Sequence, residues 1–389
     1  FFSRPWTTMR LASCMIFLLL LWQSPQAASV TETEWATVIN VAGRQRMLSQ
    51  KMSKEFLLIA WNYDAATTET MMQATIAEFD TALSKLQSGS ATDDIPAPPT
   101  QAVTDQLAIV SDLWTSFKVL LENNVNNTGN TTILAAVATD SVPLLTEANK
   151  AVTEYVNAAT AAGASVPGTV VNVAGRQRML SQRMSKEALL VALNVDATTT
   201  RATLQSTLDL FSTSHTGLLE GSTSLGLPGT TNACILQQMK TVTDLYGQMG
   251  PILSNISNGT TPTKAMLNQI ASLNPTLLTE MNVAVGLYAS SSPTCTAASV
   301  TSTEWSTVIN VAGRQRMLSQ KMSKEFLLVA WNYEVATSKT NMAATIAEFD
   351  TAFGKLMYGS TSSSIPAPPT QGVADQLVVV KGLWTSFKV

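Results

Sequence analysis

The segment Asn-Val-Ala-Gly-Arg-Gln-Arg-Met-Leu-Ser-Gln-(Lys/Arg)-Met-Ser-Lys-Glu occurs three times, beginning at Asn40, Asn172 and Asn310. Its second arginine, Arg46 with counterparts Arg178 and Arg316, has the most chemistry to offer. A guanidinium is a permanently charged planar fork that grips a carboxylate or a small oxyanion through two parallel N–H bonds. On a helix turning about 100° per residue, the arc within about 60° of Ala42 holds Trp35, Val38, Ile39, Gln45, Arg46, Ser49, Ser53, Phe56, Leu57 and Ala60. Arg46 therefore falls on the apolar arc beside Gly43 and Ser49, whereas Arg44 points to the opposite face and reads as solvated or surface-paired.

A cation in a packing seam is costly unless negative charge meets it. Two partners are compatible with the sequence. One is a carboxylate from another helix, for which Glu147 and its counterpart Glu280 are available. The other is a small planar anion. A helical glycine costs about 1 kcal/mol relative to alanine, so Gly43, Gly175 and Gly313 imply close approach by a neighbouring helix or a ligand. The candidate ligand set is Arg46, Arg178 and Arg316 with Ser49, Ser181, Ser319, Gly43, Gly175 and Gly313. Met47, Leu48 and Met52 read as core, and Lys54-Glu55 as an exposed polar pair.

The elements that carry this segment follow from the apolar spacing. In the first copy Glu32 to Tyr63, Thr67 to Leu86, Thr100 to Asn123 and about Ile133 to Ala161 read as helices, with Met72, Ile76, Phe79, Leu83 and Leu86 a clear three-and-four pattern. The stretch Ser88 to Pro99 breaks the helix and returns as Ser360 to Pro369. Pro143 and Pro275 mark a kink or a late start in the fourth helices. The copies lie 132 and 138 residues apart, the size of a domain and too long for a solenoid unit. The predicted fold is all-α: a tandem array of up-down-up-down four-helix bundles over 30–162, 163–298 and 299–389, the third truncated in its third helix and completed by residues beyond Val389.

Charged residues make up 13% of the chain and the net charge is −3, which leaves no basic face for nucleic acid. Met9-Arg10, an apolar run from Leu11 to Trp22 and small residues to Ser29 read as a signal peptide over 1–29, too short to span a bilayer. The expected location is therefore secreted, periplasmic or cell-surface, with any membrane contact made through a segment outside this chain. Cys234 and Cys295 then remain in an oxidising compartment and suggest one disulfide, since they fall at the same end of an antiparallel hairpin. Asn126, Asn130, Asn255 and Asn258 head glycosylation sequons in polar, turn-like stretches.

The repeated segment resembles the signature of the PilJ-type domain, the N-terminal sensor region of type IV pili methyl-accepting chemotaxis transducers. That family is related to periplasmic nitrate and nitrite sensors. The resemblance implies a four-helix bundle that pairs with another bundle, by repeat-to-repeat or homodimer packing, and an arginine that holds the anion between them. By position that arginine matches Arg46, Arg178 and Arg316, and copies one and two could share an anion between Arg46 and Arg178. The Gly-Arg-Gln-Arg wording departs from the nitrate sensors between glycine and arginine, and the chain carries no kinase or methyl-accepting coiled coil.

The expected function is a non-enzymatic extracytoplasmic sensor or binding protein for a small anion such as nitrate. The alternative is a secreted structural or adhesive helical array with no small ligand. No cofactor is expected and no metal-ligand spacing is present. The one histidine, His215, reads as a solvated helix or loop residue.

Overall fold

The structure is a computed structural model, and it describes residues 30–164, 168–290, 292–296 and 299–388. The expected signal peptide over 1–29 lies outside the described residues. Helices α1 (Glu32–Ala60), α2 (Ala65–Ser88), α3 (Gln101–Asn124) and α4 (Thr131–Ala161) form the first repeat. The second contains α5 (Gly168–Ala192), α6 (Ala197–Glu220), α7 (Ala233–Ser257) and α8 (Lys264–Ala289); the third contains α9 (Ser302–Ala330), α10 (Val335–Tyr358) and α11 (Gln371–Lys388). The fold is thus the all-α tandem of helical bundles that the spacing predicts.

Local signals set the helix ends. Thr31 accepts a hydrogen bond from the Glu34 amide while the Glu34 carboxylate accepts one from the Thr31 amide, a capping box repeated at Thr301 and Glu304. After α1 the chain turns through Asn62 and Asp64 at positive φ, and after α5 through Asn194 and Asp196, residue types whose short polar side chains tolerate that conformation. Pro143 and Pro275 do not delay their helices, because α4 and α8 run through them. The buried stripes Leu134–Val137–Leu144 and Leu267–Ile270–Leu277 continue across each proline, and that burial outweighs one missing backbone bond.

Within a bundle neighbouring helices run antiparallel: Arg44 pairs with Glu78 and Lys51 with Thr75, so the numbers run in opposite senses. Between repeats the arrangement differs. Arg46 reaches Asn172 and Lys54 reaches Gln182, numbers that rise together, so α1 and α5 lie parallel and in register. They form the central seam of the first two bundles, flanked by α2 and α4 on one side and α6 and α8 on the other. This placement explains why Lys54 and Glu55 are buried and not exposed as their polarity suggested. A helix covered by α2, α4 and α5 keeps little solvent face.

The third repeat docks on the second through α7. Gln237 Nε2 donates to the Pro368 carbonyl at 3.1 Å, and Gln371 accepts from the Ala233 amide at 2.9 Å. Cys234, at the start of α7, is bonded to Cys295 in the connection to α9, with Cα atoms 5.5 Å apart. Asn126, Asn130 and Asn258 stand exposed at joints, but Asn255 stands on the last turn of α7 and not in a loop. No described helix is long and apolar enough to cross a membrane.

Candidate functional site

The seam between α1 and α5 carries two buried guanidinium groups related by a pseudo-two-fold axis. Arg46 and Arg178 are 1% and 3% exposed. Arg46 Nη1 donates to Asn149 Oδ1 and to Asn172 Oδ1, both at 2.8 Å, and Nη2 donates to the Asn172 carbonyl at 3.3 Å. Arg178 repeats this with exchanged partners: Nη1 donates to Asn282 Oδ1 at 3.1 Å, and Nη2 donates to Asn40 Oδ1 at 2.8 Å and to the Asn40 carbonyl at 3.4 Å. Asn40 and Asn172 come from the paired first helices, Asn149 and Asn282 from the fourth helices.

The glycines are what let the two charges approach. A Cβ on Gly43 would lie 3.1 Å from Arg46 Nη2 and 3.8 Å from Arg178 Nη2; one on Gly175 would lie 3.2 Å and 3.6 Å from the same two atoms in the other order. Both guanidinium tips therefore sit over the same glycine pair. The helical cost of each glycine is offset by access for a cation from either repeat.

Every acceptor on these arginines is neutral. The carboxylate alternative fails, because Glu147 accepts from Lys150 and Gln106 and Glu280 accepts from Gln238. Glu78 answers Arg44 at the surface. Among the described residues no acidic side chain pairs with Arg46 or Arg178, and the buried Arg178 Nε has no acceptor. Burial, and then the charges of Arg178 and Arg176, push the Arg46 guanidinium down to about 9. Burial, and then Arg44, do the same to Arg178, also to about 9. Both remain cationic at neutral pH, so the seam holds two positive charges against four asparagines. Such a layer favours whatever anion can reach it.

A second polar layer follows eight residues along, about 12 Å at the helical rise. Lys54 Nζ donates to Gln182 Oε1 at 2.9 Å and Asn274 Oδ1 at 2.8 Å, while Lys186 Nζ donates to Ser141 Oγ at 3.1 Å. Both lysines are buried, and desolvation lowers each to about 8. Glu55 and Glu187, also buried, are engaged by Lys51 and Arg183 on the same helices.

The remaining candidates fall outside the first layer. Ser49 Oγ donates to the Arg46 carbonyl and Ser181 Oγ to the Arg178 carbonyl, each at 2.8 Å, so these hydroxyls serve their own helices. Ser319 does the same with Arg316. Arg316 itself is exposed, beside a half-buried Gly313. His215 is not solvated as its neighbours suggested: it lies buried on α6, stacked on Phe211, with Nε2 2.8 Å from Thr243 Oγ1 and its pKa lowered by burial to about 4. The four asparagines were missed. A signal was present for all four, since Asn40 and Asn172 open the repeated segment and Asn149 and Asn282 occupy matching places two residues after Glu147 and Glu280.

Fold and site together define an array of helical modules in which the first helices of the first two modules pair around a cationic layer. The chain belongs to the PilJ family, described as the N-terminal region of type IV pili methyl-accepting chemotaxis transducers, which matches residues 29–139, 148–273 and 299–389. A stretch of 84 residues is 32% identical to the methyl-accepting chemotaxis protein McpN of Pseudomonas aeruginosa, covering 22% of this chain and 15% of that protein. The chain thus spans about a seventh of that relative's length. No solved structure matches the chain. The modules are sensor domains of the signal-transduction type.

Proposed function

We propose that repeats one and two together form one non-enzymatic receptor for a small planar oxyanion such as nitrate, bound between Arg46 and Arg178, on the extracytoplasmic side. The observation that carries this reading is the pair of buried guanidinium groups that share a glycine platform and meet only neutral acceptors. An anion placed there offsets a charge that the fold has left uncompensated, and the planar forks suit a trigonal ligand. Because both halves lie in one chain, affinity is independent of protein concentration, unlike a site built between separate subunits.

Titration calorimetry with sodium nitrate in a chloride-free buffer tests this. One site in the paired repeats is expected, lost in Arg46→Met combined with Arg178→Met. Absence of heat with nitrate, nitrite, chloride and formate alike would leave the seam as packing only, in keeping with a structural or adhesive array.

A further inference from the structure

Repeats one and three strap their second helix to their third with the same three residues. Trp114 Nε1 donates to Asp80 Oδ1 at 2.7 Å, and Lys118 Nζ donates to Asp80 Oδ2 at 2.6 Å. Trp384, Lys388 and Asp350 repeat both bonds at the same two distances. The indole stacks on Phe79 in one repeat and on Phe349 in the other, with ring centroids 4.2 Å and 4.0 Å apart. The Lys388 ammonium also stands 5.9 Å from the Trp384 ring centroid. Each strap is thus a primary ammonium on a four-carbon stem, held by a carboxylate beside an aromatic ring.

Repeat two keeps the ring pair and loses the strap. At the positions matching Asp80, Trp114 and Lys118 stand Ser212, Tyr246 and Gly250. Tyr246 still stacks on Phe211, with centroids 4.3 Å apart, and its hydroxyl lies 3.2 Å from Ser212 Oγ. Without a lysine at Gly250 the space between α6 and α7 is an open groove of about 340 Å³, and all three replaced positions line it. A Cβ on Gly250 would lie 3.2 Å from Tyr246 Cζ, so the ring rests on bare helix backbone.

Two features of this groove have no counterpart in the other repeats. Asp209 stands where they carry Ala77 and Ala347, so the carboxylate has moved about one turn along the same helix. Its Oδ1 accepts from Gln205 Nε2 at 2.8 Å, but among the described residues Asp209 makes no ion pair. Burial, together with the Asp209 charge, raises the Tyr246 phenol above its ordinary value, which puts that carboxylate within electrostatic reach of the ring. The second feature is Pro251, in the place of Val119. It has no N–H for the Gly247 carbonyl four residues earlier, and Gly247 is exposed on the groove. The lining therefore offers a carboxylate, a backbone acceptor and an aromatic ring, with no basic side chain among the described residues.

We infer that the groove between α6 and α7 binds a small primary alkylammonium ion, seated where repeats one and three seat their own lysine. The ammonium takes the Asp209 carboxylate and the Gly247 carbonyl, and the alkyl stem lies against the Tyr246 ring. The occupant is specified by the other two repeats. A lysine side chain is a butylammonium ion; there it is tied to the backbone, and in repeat two it comes from solution. The site lies on the outer helices of the repeat, apart from the arginine seam, and needs no anion.

Saturation-transfer NMR of the whole chain with n-butylammonium chloride tests the assignment. Transfer to the stem methylenes is expected, with n-butanol, which has the stem without the charge, binding at least tenfold more weakly. Asp209→Asn is expected to weaken butylammonium at least tenfold; the residue is exposed, so the helical circular dichroism of the chain is retained. Ser212→Asp with Gly250→Lys rebuilds the strap of the other repeats. It is expected to fill the groove with the chain's own ammonium and to abolish the transfer, again with the helical signal kept. No transfer from the wild type would overturn the site. Equal binding of butylammonium and butanol would overturn the assignment to an ammonium and leave an apolar crevice only. Binding that survives both Asp209→Asn and the rebuilt strap would place the amine elsewhere on the chain and overturn the groove as its site.

Discussion

Replacing Arg46 by methionine separates a ligand-binding arginine from a structural one by magnitude and by sign. The fall of the guanidinium from its ordinary value to about 9 means that, relative to its neutral form, its charged form is disfavoured by about 5 kcal/mol in the seam compared with water. Arg46→Met removes that burden and keeps most of the volume. It also strips the donor from Asn149 Oδ1 and Asn172 Oδ1, at about 1–3 kcal/mol for each unsatisfied acceptor. The terms nearly cancel, from a gain of about 3 to a loss of about 1 kcal/mol. The melting temperature in anion-free buffer, read by scanning calorimetry, is therefore expected to hold or rise. Nitrate at about a hundred times its dissociation constant stabilises the wild type by about 2.7 kcal/mol, or about 5–10 °C for a unit of this size, and leaves the variant unmoved. Removing one partner of a committed buried pair would instead cost about 3–5 kcal/mol. A fall of about 10 °C or more without anion, together with no nitrate response in the wild type, would refute the reasoning.

Other perturbations follow from the same geometry. Asn149→Asp with Asn282→Asp places a carboxylate on each guanidinium; it is expected to raise the anion-free melting temperature and abolish nitrate binding in calorimetry. Lys54 and Lys186 have folded pKa values of about 8, below the ordinary lysine value, so the unfolded chain binds more protons above pH 8. Stability of the ligand-free chain to urea is thus expected to rise with pH from about 8 towards the ordinary lysine value, and Lys54→Met with Lys186→Met to flatten that rise. Nitrate affinity runs the other way, declining as pH passes the arginine value of about 9. Cys234→Ser with Cys295→Ser opens a loop spanning 61 residues, expected to cost the second repeat about 4 kcal/mol in urea unfolding while the nitrate response persists.

How much of this was legible in the sequence depended on whether one helix sufficed to see it. The three-and-four spacing of Met72, Ile76, Phe79, Leu83 and Leu86 is a property of one helix, and all five are buried. The arc of α1 likewise placed Arg46 inside and Arg44 outside, where it meets Glu78. What a single arc cannot convey is how many neighbours a helix has. Lys54 and Glu55 looked solvated because they stand away from the apolar arc, yet α2 and α5 cover those flanks. His215 misled for the same reason, its polar neighbours in sequence being remote from Phe211 and Thr243, which enclose it. The choice of partner for Arg46 needed the register between α1, α4 and α5. That register sends Glu147 to Lys150 and brings Asn149 to the guanidinium instead.

Diffraction from crystals of the chain grown in sodium nitrate without chloride shows directly whether an anion sits between the two buried guanidinium groups. Flat, three-lobed density is expected over Gly43 and Gly175, within hydrogen-bonding distance of both Arg46 Nη2 and Arg178 Nη2. Guanidinium groups bonded to the four asparagines alone, with no density between them at saturating nitrate, would contradict it.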